Sequence, residues 1–122
     1  MKRPERFMYL SKSATSVMMS CSAEGQFLPL YVVYKAEHVY DTWIVGGPPN
    51  TRYNRSKNGW FDSVIFQDWF TTVALPYFKK QPDAEPKAII GDNMASHVTT
   101  TVIDMCEKHK ISSYSYHQTA RN

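Results

Sequence analysis

The carboxylate best placed for chemistry is Asp92, which closes the run Lys87-Ala88-Ile89-Ile90-Gly91-Asp92 and is followed by Asn93. A short, continuous apolar stretch ending on an acid predicts a strand buried on both faces, with the acid delivered to its carboxyl end. In α/β sheets ligands gather beyond those ends, where loops meet helix N-termini, so Asp92 is a candidate ligand for a divalent cation. The bare residue types favour a plainer role. Asp and Asn hydrogen-bond the nearby backbone well, and a strand-to-helix turn accounts for both. His97 can bond a phosphate or orient Asp92, which makes it, with Asn93, a supporting residue rather than a ligand.

A second group is Arg52, Tyr53, Arg55 and Lys57, three cations beside one aromatic ring. Such a mixture suits a phosphate backbone or an unstacked base. The group falls in the stretch 46–59, where Gly46-Gly47-Pro48-Pro49-Asn50 punctuates the chain and Asn54 to Gly59 is polar, so a long loop is expected. A solvated loop explains the charges equally well, although long loops in small domains tend to be functional.

The elements that must position these residues follow from periodicity. Thr15, Val17, Met19 and Cys21 alternate with Ser16, Met18 and Ser20, which predicts a half-buried strand. A turn at Ala23-Glu24-Gly25-Gln26 and a β-branched, aromatic run from Leu28 to Lys35 complete an antiparallel hairpin. Asp62 or Ser63 caps a helix whose apolar residues Phe66, Trp69, Phe70, Val73, Ala74, Tyr77 and Phe78 fall on one face. Pro76 is expected to break or kink that helix near its end. After the Asp92 strand, Ser96 is positioned to cap a helix bearing Val98, Val102, Met105, Cys106 and His109. Ile111 to Tyr116 can form one more strand. The order is that of an α/β layer with one antiparallel hairpin.

With 122 residues the chain suits one small domain. Its 43% hydrophobic and 14% aromatic content argues against disorder. A formal charge of +3 is compatible with a nucleic-acid partner without demanding one. Cys21 and Cys106 lack metal-site spacing and both sit at apolar-face positions, so buried, reduced thiols are expected. No run approaches the ~20 apolar residues of a membrane span. The basic start Met1 to Arg6 has no apolar segment behind it, so a secretory signal is not expected and an intracellular protein is.

Several stretches together resemble one family. The run Gly91-Asp92-Asn93-Met94-Ala95-Ser96-His97 resembles the G-D-N-x-x-S-H signature around the second catalytic acid of DDE superfamily transposases, in the pogo, Tigger and jerky-like branch. Thr15 to Met19, Cys21 to Gly25, Phe27 to Lys35, Gly46 to Pro49 and Gly59 to Asp62 are similar to that family in order and spacing. The resemblance implies a partial RNase H-like fold, a mixed sheet with a β-hairpin followed by helix, strand and helix. It also implies DNA as partner, Mg²⁺ as cofactor, DNA cleavage and strand transfer as the ancestral reaction, and the nucleus as compartment. In such sites three acids hold two ions about 3.5–4 Å apart, one activating the nucleophile and the other stabilising the leaving oxygen.

Only Asp92 matches one of those acids, so it alone is assigned as catalytic and metal-binding residue. The first acid belongs to a strand upstream of the hairpin, and the third to a Q-P-L-D-like stretch that Ser112 to Asn122 does not resemble. Residues 1–122 are therefore expected to form a single partial catalytic domain lacking its first strand and its carboxyl-terminal part, and to be inactive as given. The unpaired hairpin edge would be open to another chain. A contrasting expectation is an interaction module that binds a protein partner, with Asp92 a relic. An unrelated phosphotransfer or hydrolase domain would need a second acid at another strand end, and none can be placed.

Overall fold

The computed structural model describes residues 15–92 and 94–116. The chain divides into two compact units, Met1–Phe61 and Asp62–Asn122. In the first, β1 (Thr15–Met18) and β2 (Tyr31–Lys35) pair antiparallel, with Thr15 opposite Tyr34 and Met18 opposite Tyr31. Between them Ser22 and Gln26 close a turn in which Gly25 adopts φ +92°, a left-handed conformation that glycine takes without steric cost. The expected hairpin is present with shorter strands. Pro29, without an N–H, stays outside β2.

A third strand, β3 (Arg52–Ser56), runs parallel to β2, with Tyr31 opposite Arg52 and Lys35 opposite Ser56. This corrects the expectation of a loop throughout 46–59. Its opening keeps that form, with Gly46 at φ 86° and Asn50 at φ 65°, and so does its end, residues 57–59, where Gly59 adopts φ 75°. The strand arises from tertiary demands rather than local pattern. β2 has a second edge whose backbone groups need partners, and the Arg52 N–H donates to the Leu30 carbonyl at 2.9 Å. The Asn54 amide likewise donates to the hydroxyl of Tyr31 at 2.8 Å. β2 is thus the central strand of three.

Tyr31 and Val33 are fully buried, and cross-strand register puts Met18 and Ser16 on their face. Thr15 and Val17 consequently point outward, and Cys21, expected to be buried, is exposed. The half-buried reading of β1 holds. Its inner side is the one carrying Ser16, whose hydroxyl donates to the Gly59 carbonyl at 2.6 Å.

In the second unit Asp62 caps the long helix, its carboxylate accepting from the Ile65 N–H at 2.9 Å. Helix α1 (Ser63–Trp69) passes into a π-helical turn (Phe70–Ala74) and then α2 (Leu75–Lys79) without interruption. The expected break or kink at Pro76 is therefore replaced by a wide turn upstream of it. Proline offers no N–H to the preceding turn and its ring crowds it. The Leu75 N–H donates five residues back, to Phe70. Carbonyls in the preceding turn accept from hydroxyls as well, since Thr71 donates to Gln67 and Asp68 at 3.1 Å, and Thr72 to Asp68 at 2.6 Å.

β4 (Lys87–Asp92) and β5 (Ile111–Tyr116) pair in parallel, joined through a 3₁₀ turn (Met94–Ser96) and helix α3 (Thr100–Lys108). Parallel neighbours require such a crossover. Thr99, not Ser96, caps α3. Its hydroxyl accepts from the Val102 N–H at 3.3 Å and donates to Gln67 at 2.7 Å, which ties α3 to α1. Ser96 is taken up by the preceding turn.

β4 is not buried on both faces. Ile89 and Ile111 line a cavity of about 150 Å³ with Phe66, Phe70 and Val102, so the helices cover that side. The other side carries Ile90 at 72% and Tyr114 at 57% exposure, because no described element of this unit packs there. Asp62→Ala is expected to lower the unfolding free energy by about 1 kcal/mol, the usual worth of such a cap. An unchanged denaturation midpoint would show that the helix start is held by something else.

Candidate functional site

Strand β4 delivers Asp92 to its carboxyl end, solvent-exposed and in register with Tyr116 of β5. The following turn is packed hard against the strand. A Cβ on Gly91 would lie 3.1 Å from the Met94 sulfur, and Met94 itself is buried. Glycine at 91 thus allows the turn to fold back directly beside the acid. The His97 N–H donates to the Met94 carbonyl at 3.0 Å. Its ring lies 6.4 Å from that of Phe66, with 28° between the planes. Asn93 lies outside the described residues.

Among the described residues no three His, Cys, Asp or Glu side chains come close enough to hold a metal ion together. Mg²⁺ demands near-octahedral oxygen ligation, and a two-ion site needs bridging acids from separate elements. One exposed carboxylate does not meet that requirement. The donor set among the described residues does not fit a two-ion centre.

The basic group is split by strand parity. Arg52 and Asn54 stand on the face of β3 shared with buried Tyr31 and Val33, whereas Tyr53 and Arg55 stand on the opposite face with Val32 and Tyr34. Arg52, Arg55 and Lys57 are all exposed, and Tyr53 is half-buried. Tyr53 is fixed by a close approach, since a Cβ on Gly47 would overlap its hydroxyl. Its ring is parallel to that of Tyr34, at a centroid distance of 6.3 Å.

The family model for DDE superfamily endonucleases matches residues 12–116, which takes in Asp92, the basic group and every strand and helix described. The chain belongs to the DDE superfamily endonucleases. The mixed α/β arrangement agrees with a partial RNase H-like fold. No curated protein and no solved structure matches the chain. Among the described residues of this DDE endonuclease chain, no helix is long and apolar enough to cross a membrane.

Sequence reasoning passed over Tyr34, Tyr40 and Trp43, which gather beside Tyr53. The signal available was aromatic density between Tyr31 and Trp43, but the contact of Tyr34 with Tyr53 depends on β3 being a strand. Cys106 lines the cavity of the second unit, and burial pushes its thiol above the ordinary cysteine value. The thiolate is the reactive form. In native protein near pH 8 a thiol reagent should therefore label exposed Cys21 rapidly and Cys106 only after unfolding. Equal labelling rates would show that α3 opens freely.

Proposed function

We propose that this chain is a DNA-binding part of a transposase-derived DDE endonuclease domain, and that by itself it does not cut DNA. The family match across residues 12–116 carries this reading. Asp92 takes the place of the family's second catalytic acid and its metal ligand. Among the described residues the other two acids have no counterpart beside it, and the ancestral reaction, Mg²⁺-dependent cleavage with strand transfer, needs all three. Residues 1–122 are read as one partial catalytic domain, acting in the nucleus. Arg55, Lys57 and Arg52 supply phosphate contacts and Tyr53 an aromatic surface, while the net charge of +3 favours association with a polyanion.

The purified chain is expected to leave supercoiled plasmid intact in Mg²⁺ or Mn²⁺, and nicking that disappears in Asp92→Ala would overturn the inactivity. DNA affinity should fall with salt. Because each phosphate contact adds about 0.9 to the slope of log K against log salt, Arg55→Ala combined with Lys57→Ala should lower that slope by about 2. A slope unchanged in the double variant would place the phosphate contacts elsewhere.

A second reading is favoured by the uncovered side of the β4–β5 pair. Ile90 and Tyr114 form an apolar patch there, and β4 hydrogen-bonds a neighbour on one edge only among the described residues. A protein partner could add a strand at that edge, as peptides do at exposed sheet edges. Capture of a partner that survives nuclease treatment and Asp92→Ala, but is lost on Ile90→Lys, would favour this reading over DNA binding.

A further inference from the structure

We propose that the outer face of β2 and β3, together with the 3₁₀ turn at Asp41–Ile44, is a stacking platform for unpaired bases of single-stranded DNA. The inference rests on the DNA-binding reading above and specifies the form of DNA engaged. Four rings make up the platform. Trp43 packs on Tyr34 at a centroid distance of 4.9 Å, and Tyr40 meets Trp43 edge-on at 4.9 Å and 80°. Tyr53 lies parallel to Tyr34 on the neighbouring strand. The Tyr34 hydroxyl donates to the Trp43 carbonyl at 2.9 Å, so the turn that carries Trp43 is tied to the sheet.

The rings hold one another while their outer members stay open to solvent, Tyr40 at 59% and Trp43 at 36% exposure. A solvent-facing aromatic that is already ordered loses little conformational entropy when a flat ligand stacks on it. Arg55, opposite Tyr34 in register, and Lys57 beyond the strand end provide exposed cations on the flank. Two carboxylates also belong to this stretch, Glu37 in the loop leading to the turn and Asp41 at the start of the turn. They keep the local field modest, so the surface is poorly suited to a duplex gripped by phosphate charge alone. Rings with a flanking cation instead match the pattern that binds single strands, in which each base offers a π-face and each phosphate a charge. A duplex buries those base faces in its own stack.

The test uses the full chain and fluorescence anisotropy with a labelled oligothymidine and a labelled mixed-sequence duplex of equal length, at low salt. Tyr40→Ala and Trp43→Ala should each weaken single-strand binding about ten-fold, in line with the worth of one base–aromatic contact, and leave duplex binding unchanged within error. Arg55→Ala should weaken both forms. Trp43→Phe, which keeps a ring in the cluster, should restore most of the single-strand affinity and controls for loss of folding. Single-strand affinity unchanged in both ring-to-alanine variants, or lost equally with duplex affinity, would overturn the platform while leaving DNA binding in place. Wild-type chain that binds neither form would overturn the platform and the DNA-binding reading together.

Discussion

A fully buried tyrosine hydroxyl must be hydrogen-bonded, and in the first unit that demand falls on Tyr31. Asn54 answers it from the neighbouring strand, and Phe61 closes on the same ring edge-on at 5.6 Å. Fixing Asn54 beneath Tyr31 fixes the register of β3 against β2. Alternation then turns Tyr53 and Arg55 to the outer face, beside Tyr34, and leaves Arg52 on the inner one. This polar contact and the backbone ladder act together on the same register, and so on which cations and rings share the outer surface. A slip of one residue would exchange the two sets.

The second unit is organised around how the chain passes Pro76 and returns to β4. The wide turn at Phe70–Ala74 lets one helical run cover the cavity-lined side of the β4–β5 pair, and Thr99 links that run to α3 through Gln67. The crossover from β4 to β5 presents Asp92 at the end of its strand with Met94 packed beneath. Position is thus well defined for an acid that, among the described residues, has no neighbouring group of metal ligands. Strand, turn and helix hold that position through their own packing and hydrogen bonds, independently of any ion.

Much of this was legible from residues. The alternation from Thr15, the aromatic run to Lys35, the Asp62 cap, the helical stripe from Phe66 and the strands ending at Asp92 and Tyr116 are each local patterns, and each found its element. What escaped was decided at longer range. β3 has a polar sequence with no alternating hydrophobicity, and only its neighbour makes it a strand. The inward side of β1 is set by pairing with Tyr31 and Val33, which also explains why Cys21 lies outside. Thr99 displaced Ser96 as a cap because Ser96 itself belongs to the separate 3₁₀ turn before it. Ile90 looked buried since its run is apolar throughout, yet a strand needs layers on both sides to bury both faces.

The wide turn before Pro76 also changes how the helix should be read as a string of letters. Five residues occupy a span that would ordinarily close after four, so the positions beyond it are rotated by roughly a hundred degrees relative to an unbroken α-helix. Leu75 is buried although it falls off the stripe begun at Phe66, while Tyr77 and Phe78, which continue that stripe, are only half-buried. Two amphipathic words have been spliced with one extra letter between them. A substitution in this helix belongs to one frame or the other, and counting in fours across the splice assigns it to the wrong side.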